Sequence, residues 1–339
     1  MNFAALLPAV GVAFVLTLLL TPVARAHARR RGLIDRPGPR RSHDVPVARG
    51  GGIALAVGVV AAAVMMPPVP GGVAFHMGLL AIAALGLADD HRPLRVAIRL
   101  PAQLVVAAAV VMAVGGVPVI QFAGESIGPW LAWTPLAALA IVWMINLFNF
   151  MDGSDGLAST QAAFSGLLLA VGFVDSGQTG LAVLACALAA ASLAFLAWNR
   201  PPARIFLGDS GSLTLGFVLG FLALAGTVTG SVSVWAAAIA VSPFVIDATA
   251  TLLARLVSGR EWYTPHRDHA YQCLIRSGWS HARVLAALVV LDLAVVLPAF
   301  VLASKFPALD VAIAACTGVM LLAIWWSARR RAKAENRDE

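Results

Sequence analysis

Charge is scarce in this 339-residue sequence: 12% of residues are Asp, Glu, Lys or Arg, against 60% hydrophobic and a mean hydropathy of +0.86. That scarcity excludes an ordinary soluble globular fold and points to a polytopic membrane protein. Cysteine is nearly absent. Cys186, Cys273 and Cys316 show no paired spacing, which excludes a disulfide framework and a cysteine-based metal centre; two read as packing residues and one as a loop thiol. The chain has no internal repeat, which weighs against an inverted-repeat transporter, and no linker that would set off a second domain. The first apolar stretch has no small-residue cleavage site ahead of a soluble region, so it reads as a retained helix and not a signal peptide.

What is abundant is apolar sequence. Stretches of about 17 to 25 residues suffice to cross a bilayer. They lie at 3–23, 51–69, 72–88, 100–120, 130–149, 157–175, 179–198, 211–228, 232–255, 285–303 and 308–327. The expectation is an all-α polytopic membrane protein of about eleven transmembrane helices. All of the 24 Lys and Arg residues except Lys305 fall in alternate connections, at 24–50, 89–99, 198–210, 255–284 and after 327. The positive-inside rule makes those connections cytoplasmic, with a periplasmic N-terminus and a cytoplasmic C-terminus. Residues 1–339 should then form one integral membrane domain, with 328–339 as a basic cytoplasmic tail. The formal net charge of +7 becomes an orientation signal with some attraction to anionic lipid, and not a nucleic-acid footprint. The opposite connections are short and carry few ionisable groups. The longest, GGVPVIQFAGESIGPW, predicts a small hairpin without chemistry.

Each basic connection holds a dense polar string. Asp89 and Asp90 are adjacent carboxylates, which resist joint ionisation unless a cation or base partner is present; a pair of interfacial charges ending a helix is the plainer alternative. Arg95 and Arg99 follow, four apart on one helical face, and that face suits a phosphate. In NLFNFMDGSDGLAS, Asn146, Asn149, Asp152 and Asp155 recur every three residues. Such a row drifts around a regular helix, so Gly153 and Gly156 predict a helix end that gathers these oxygens around one point. A helix cap explains one aspartate of the set, but not two Asp and two Asn.

Asp209 stands in FLGDSGS between Gly208 and Gly211, with Ser212 near the start of the next helix. Glycines admit backbone N–H groups to an anion, and the helix start attracts phosphate. A carboxylate beside a phosphate implies a cation between them, and hard oxygen ligands favour Mg²⁺. His266 and His269 in PHRDHAYQ lack the companions of a zinc site, so phosphate binding or proton handling by His269 and Arg267 is preferred. His43 and Arg49, ahead of the glycine run 50–52, are further candidate anion contacts. Acidic residues for a divalent cation and basic residues for phosphates, all on one membrane face, describe phosphoryl transfer between a soluble phosphate ester and a lipid phosphate.

These motifs, GLIDRPGPRRSH…ARGGGIA, DDHRPLRVAIRLPAQ, NLFNFMDGSDGLAS, FLGDSGSLTLGF and the His-containing loop, occur in the order found in the polyprenyl-phosphate N-acetylhexosamine-1-phosphate transferases. The chain resembles that family over almost its whole length. The resemblance implies an eleven-span enzyme of the bacterial inner membrane. Such an enzyme moves a HexNAc-1-phosphate from a UDP-sugar to undecaprenyl phosphate and releases UMP, the first membrane step of O-antigen or related envelope polysaccharide synthesis. It implies catalytic roles for Asp89 and Asp90, one of them deprotonating the lipid phosphate, and Mg²⁺ (with Mn²⁺ as a substitute) on Asp209 and Asp155. Asn146, Asn149, Asp152, Arg267, His269, Gly208 and Ser212 would face the nucleotide sugar, and Arg95, Arg99 and His43 the lipid phosphate. A second copy of the chain, as a homodimer, is an admitted partner; nucleic acid is not.

Tyr271 and Gln272 stand where the family's common last motif has further histidines. The resulting HRDHAYQ looks more like the O-antigen-initiating subgroup, which leaves GlcNAc and 6-deoxy-HexNAc donors such as FucNAc both open. The phospho-MurNAc-pentapeptide transferase reaction is the alternative. A secondary transporter, which would need ionisable groups near the midplane such as Asp247 and Asp292, and a non-catalytic scaffold are the other two.

Overall fold

The computed structural model describes residues 6–36, 46–117, 120–122, 125–128, 130–261 and 266–335. With no water to pair exposed backbone groups, apolar sequence in a bilayer satisfies its own N–H and C=O groups as helix. The helices are α1 (Leu6–Arg31), α2 (Gly52–Met65), α3 (Gly72–His91), α4 (Val96–Ala113), α5 (Trp130–Met151), α6 (Leu157–Asp175) and α7 (Thr179–Asn199). They continue as α8 (Asp209–Val228), α9 (Val234–Ala240), α10 (Ser242–Val257), α11 (Ala270–Arg276), α12 (His281–Leu291), α13 (Leu297–Lys305) and α14 (Asp310–Glu335).

The protein is an all-α, multi-pass membrane protein. Among the described residues nine helical stretches are long and apolar enough to cross a membrane, or ten if one bent pair counts as a span. All eleven apolar stretches hold helix, but two do not hold a straight span. The first is α2, which has 14 residues, about 21 Å of helix, because Pro67 and Pro68 follow directly and cannot continue it. The second is the stretch at 232–255, where α9 and α10 meet at 83°; Val241 leaves helical geometry and Pro243 opens α10, a position where its missing N–H costs nothing. α12 and α13 form one stretch with a π-type turn at Asp292–Val296 between them. Asp292 is buried there, 1% exposed.

α8 is the most enclosed helix and α7 the next. Phe75 of α3 stacks on Phe217 and Phe221 of α8, with ring centroids 5.8 and 4.2 Å apart. At the start of α8 the backbones themselves touch: a Cβ on Gly52 would lie 2.3 Å from the Gly211 Cα, and one on Gly86 2.5 Å from the Asp209 carbonyl oxygen. Small residues permit such approach where helices pack in a membrane, and here they bring α2 and α3 against the first turn of α8.

The expected hairpin is present as β3 (Ile120–Phe122) paired antiparallel with β4 (Glu125–Ile127). A second, three-stranded sheet was not foreseen. β1 (Ile34–Asp35) pairs antiparallel with β2 (Val47–Arg49), which pairs parallel with β5 (Ile205–Phe206). Strands of two or three residues leave no periodic signal. The described parts of the basic connections meet at one end of the bundle, where Arg25 Nε donates to the Arg204 carbonyl at 2.9 Å and Ala203 N–H donates to Asp155 at 2.9 Å. Residues 328–335, expected as a tail, are the last turns of α14, with Ala328 buried.

Candidate active site

At that end a cavity of about 270 Å³ opens, and Arg49, Asn149, Asp152, Asp155, Asp209 and His281 are among its walls. Asp209 is the first residue of α8, placed there by Gly208, whose φ of +75° suits glycine alone and whose missing Cβ would lie 2.6 Å from Asp90 Oδ1. Asp209 Oδ1 accepts from Arg49 Nη2 at 2.7 Å and from Asn149 Nδ2 at 2.9 Å. Arg99 Nη1 stands 3.6 Å from Oδ2. One carboxylate therefore joins the first, second, third and fourth polar connections.

The paired aspartates diverge. Asp90 Oδ1 and Oδ2 accept the backbone N–H groups of Asp209 and Ser210, at 2.8 and 3.0 Å, and Arg49 Nε lies 3.3 Å away. Asp90 thus caps α8 from another helix, satisfying two of the four donors a helix start leaves unpaired. Asp89 turns the other way, accepting the Leu94 N–H on Oδ1 and Arg99 Nη1 on Oδ2. Asp89 and Asp209 are also in side-chain contact with each other, and Arg99 Nη1 reaches both.

The helix end expected in NLFNFMDGSDGLAS is where α5 stops, at Met151. Asn149, Asp152 and Asp155 all reach the cavity, whereas Asn146 does not: its Nδ2 donates to Gln103 Oε1 at 2.6 Å and to the Val142 carbonyl. Asn149 also donates to Ser212 Oγ at 3.1 Å, and Ser212 is fully buried beneath the cavity wall. Burial drives the Asp152 pKa well above the usual carboxylate range; the neighbouring Asp209 and Asp90 charges add to this, and Arg49 opposes it. Burial also works against the Arg49 cation, but Asp209, Asp90 and Asp152 outweigh it and raise the Arg49 pKa. Asp155 Oδ2 accepts from Ala203 N–H, and its Oδ1 is 3.7 Å from His281 Nδ1, which also contacts Ser154 Oγ at 2.9 Å. Asn199 ties the pieces together, accepting from Gly156 N–H and donating to the Ile205 carbonyl, each at 2.9 Å.

The last polar loop sits apart. His269 is 2% exposed, with Nδ1 3.5 Å from Asp247 Oδ1 and its ring stacked near Phe150 and Tyr271. Tyr271 Oη donates to the Phe150 carbonyl at 3.0 Å. The residue this loop places in the cavity wall is Gln272, and neither His269 nor Arg267 joins it there. Arg95 is exposed at the start of α4, clear of the carboxylates, and His43 lies outside the described residues. Asn199, Gln272 and His281 are the contributors that no motif spacing announced; each is a single polar residue beside a helix end.

His266, next in the loop, has its pKa lowered to about 4 by burial first, then by the positive charges of His269 and Arg255. Its charged form is disfavoured in the fold, so below the ordinary histidine pKa of about 6.5 the unfolded chain binds the extra proton. Stability is lost as pH falls from there toward 4. Thermal unfolding of His266→Gln across that window should show a smaller acid-side loss than the parent protein.

Among the described residues no three His, Cys, Asp or Glu side chains are grouped to share one ion. Four carboxylates border the cavity, Asp35, Asp152, Asp155 and Asp209, and two of them, Asp152 and Asp209, are close neighbours with the Asn149 amide beside Asp209. That is a hard-oxygen set of the size Mg²⁺ uses when substrate phosphates complete its shell.

An apolar helical bundle thus gathers carboxylates, the Asn149 amide and the Arg49 guanidinium at one small cavity, a set whose chemistry suits phosphate groups. The protein-family model described as glycosyl transferase family 4 matches residues 73–227. A probable undecaprenyl-phosphate N-acetylglucosaminyl 1-phosphate transferase of Bacillus subtilis is 32% identical over 289 residues, covering 80% of this chain and 78% of the relative. The decaprenyl-phosphate N-acetylglucosaminephosphotransferase of Mycolicibacterium smegmatis is 32% identical over 320 residues, covering 80% and 76%. The phospho-N-acetylmuramoyl-pentapeptide-transferase of Moorella thermoacetica is 36% identical over 232 residues, covering 63% and 73%. The chain belongs to glycosyl transferase family 4.

Proposed function

We propose that the protein transfers a HexNAc-1-phosphate from a UDP-sugar to undecaprenyl phosphate, forming polyprenyl-diphosphate-HexNAc and releasing UMP, as the first membrane step of an envelope polysaccharide. The observation that carries the reading is Asp209, joined to Arg49, Asn149 and Arg99 at the wall of one cavity at the end of an apolar bundle. A lipid phosphate and a water-soluble diphosphate can meet only at such an end. The relatives, two of them named as N-acetylglucosamine enzymes, support GlcNAc as donor; HRDHAYQ keeps a 6-deoxy-HexNAc open. The bias of Lys and Arg toward this end supports a cytoplasmic active face, a periplasmic N-terminus and a bacterial inner-membrane location.

In the net step an oxygen of the lipid phosphate forms a bond to the phosphorus carrying the sugar. The bond from that phosphorus to UMP breaks, and UMP leaves with the electron pair. Asp89, positioned by the Leu94 N–H and Arg99, takes the acceptor's proton. Arg99 and Arg49 set positive charge on either side of Asp209, where phosphate oxygens gather. Asn149, Asp155 and His281 orient the nucleotide sugar. Mg²⁺ would be held by Asp209 and Asp152, with Asp155 beside them, and would supply charge neutralisation for the diphosphate.

The test is UMP release by the purified protein with undecaprenyl phosphate and a panel of UDP-GlcNAc, a UDP-6-deoxy-HexNAc and UDP-MurNAc-pentapeptide, with and without Mg²⁺. Release that requires both the lipid phosphate and Mg²⁺, with one of the first two donors, is the expected result. Release with the pentapeptide donor alone would move the protein to the reaction of the Moorella relative. No release from any donor, or release indifferent to the lipid, would overturn the assignment.

A further inference from the structure

A second cavity, of about 430 Å³, lies between the ends of α10, α11 and α14 and shares no wall residue with the first. Five arginines line it: Arg255 from α10, Arg260 just beyond it, Arg276 from α11, and Arg329 and Arg330 from α14. Among the described residues the one acid in its wall, Asp268, pairs with Arg255 and stands 4.0 Å from Arg260 Nη1. Five cations face one carboxylate among the described wall residues, a positive surplus gathered from three helices. The surplus is felt locally, since Arg255 and Arg329 are among the causes that keep His266 neutral.

The arginines of α14 are held in place. Arg329 lies over the Trp325 ring and Arg330 over the Trp326 ring, each 4.7 Å from the centroid. Such stacking fixes a guanidinium plane while leaving its N–H groups available. Beside the charged mouth the same helices present bare apolar surface. Leu253, Leu256 and Val257 on α10 are 55, 57 and 87% exposed, and Leu322 and Trp326 on α14 are 42 and 54% exposed. A soluble phosphate would use the arginines and ignore this surface; an amphiphile uses both.

From the arginine cluster and the apolar faces beside it, we infer that this cavity binds the headgroup of an anionic phospholipid whose acyl chains lie along α10 and α14. Basic pockets between membrane helices, on the side carrying the positive connections, bind such headgroups. The charge that orients the chain in the membrane is, at this corner, also folded into a lipid site. The inference does not depend on the transferase reading, because its readout is binding and not turnover.

The experiment uses the full chain, purified in detergent, titrated with phosphatidylglycerol or with phosphatidylcholine of identical acyl chains and followed by native mass spectrometry. Phosphatidylglycerol should bind saturably and phosphatidylcholine should not. Arg329→Gln with Arg330→Gln should weaken that binding about thirty-fold, the change expected on losing two arginines from an anionic membrane surface. Arg260→Gln with Arg276→Gln, two exposed positions on other elements, should weaken it similarly and guards against misfolding of α14 in the first variant. Unchanged phosphatidylglycerol affinity in both variants, or equal retention of phosphatidylcholine, would overturn the proposal. Displacement of the lipid by inorganic diphosphate at equal concentration would make this a soluble-anion site and overturn the lipid assignment.

Discussion

Asp209→Asn should lower UMP release by at least about 10²- to 10³-fold, the range seen when one preorganised electrostatic group is removed from a reacting centre, while the protein still inserts at near parental yield. The change is isosteric, so packing of the first turn of α8 is preserved. The negative charge is lost between Arg49 and Arg99, and an amide that presents its NH₂ toward Asn149 Nδ2 replaces an acceptor with a donor. Arg49 keeps Asp90 and Arg99 keeps Asp89, which is why folding should survive. Initial rates on purified protein, set against membrane yield, give the answer. Near-parental turnover would remove Asp209 from the centre of the site, and with it the placement of Mg²⁺ there.

The second large effect separates the adjacent aspartates. Asp89→Asn should cost about 10²- to 10⁴-fold in rate, the usual contribution of a positioned proton acceptor, with little change in unfolding temperature. The Asn oxygen still accepts the Leu94 N–H, and Arg99 retains Asp209. Asp90→Ala should instead lose stability and activity together. Its carboxylate carries two backbone N–H groups of α8 and the Arg49 Nε, and deletion of a cap alone costs about 1 to 2 kcal/mol. Thermal unfolding and rate measured on the same two preparations distinguish the roles. A destabilised Asp89→Asn beside a stable, inactive Asp90→Ala would reverse the assignment.

Much of this architecture was legible because the bilayer enforces it: an apolar stretch must become helix, so the eleven stretches located eleven helical regions. Their shape was less legible. Pro67 and Pro68 cut α2 short, and the bend at Val241 depends on how α9 and α10 pack, which hydropathy does not encode. In the site, the three-residue recurrence of Asn and Asp correctly marked a helix end, but a drifting row could not say that Asn146 would turn to Gln103 while Asn149, Asp152 and Asp155 faced the cavity. Asp89 and Asp90 looked equivalent in sequence, and only the approach of α3 to α8, through Gly86, shows that one caps a helix. Arg49 was one candidate among many arginines until a two-residue parallel ladder with β5 placed it beside Asp209.

That ladder has a temporal consequence. Arg49 and Asp209 are 160 residues apart, and at ordinary rates of synthesis the second emerges roughly ten to thirty seconds after the first. Through that interval Arg49 and Asp90 sit at the membrane surface without the helix start that later organises them. The cluster around Asp209 is therefore assembled only when α8 arrives, and Gln272 and His281 complete the cavity wall later still; a chain arrested before α8 would hold Arg49, Asp90, Arg99 and Asn149 without the helix start that joins them.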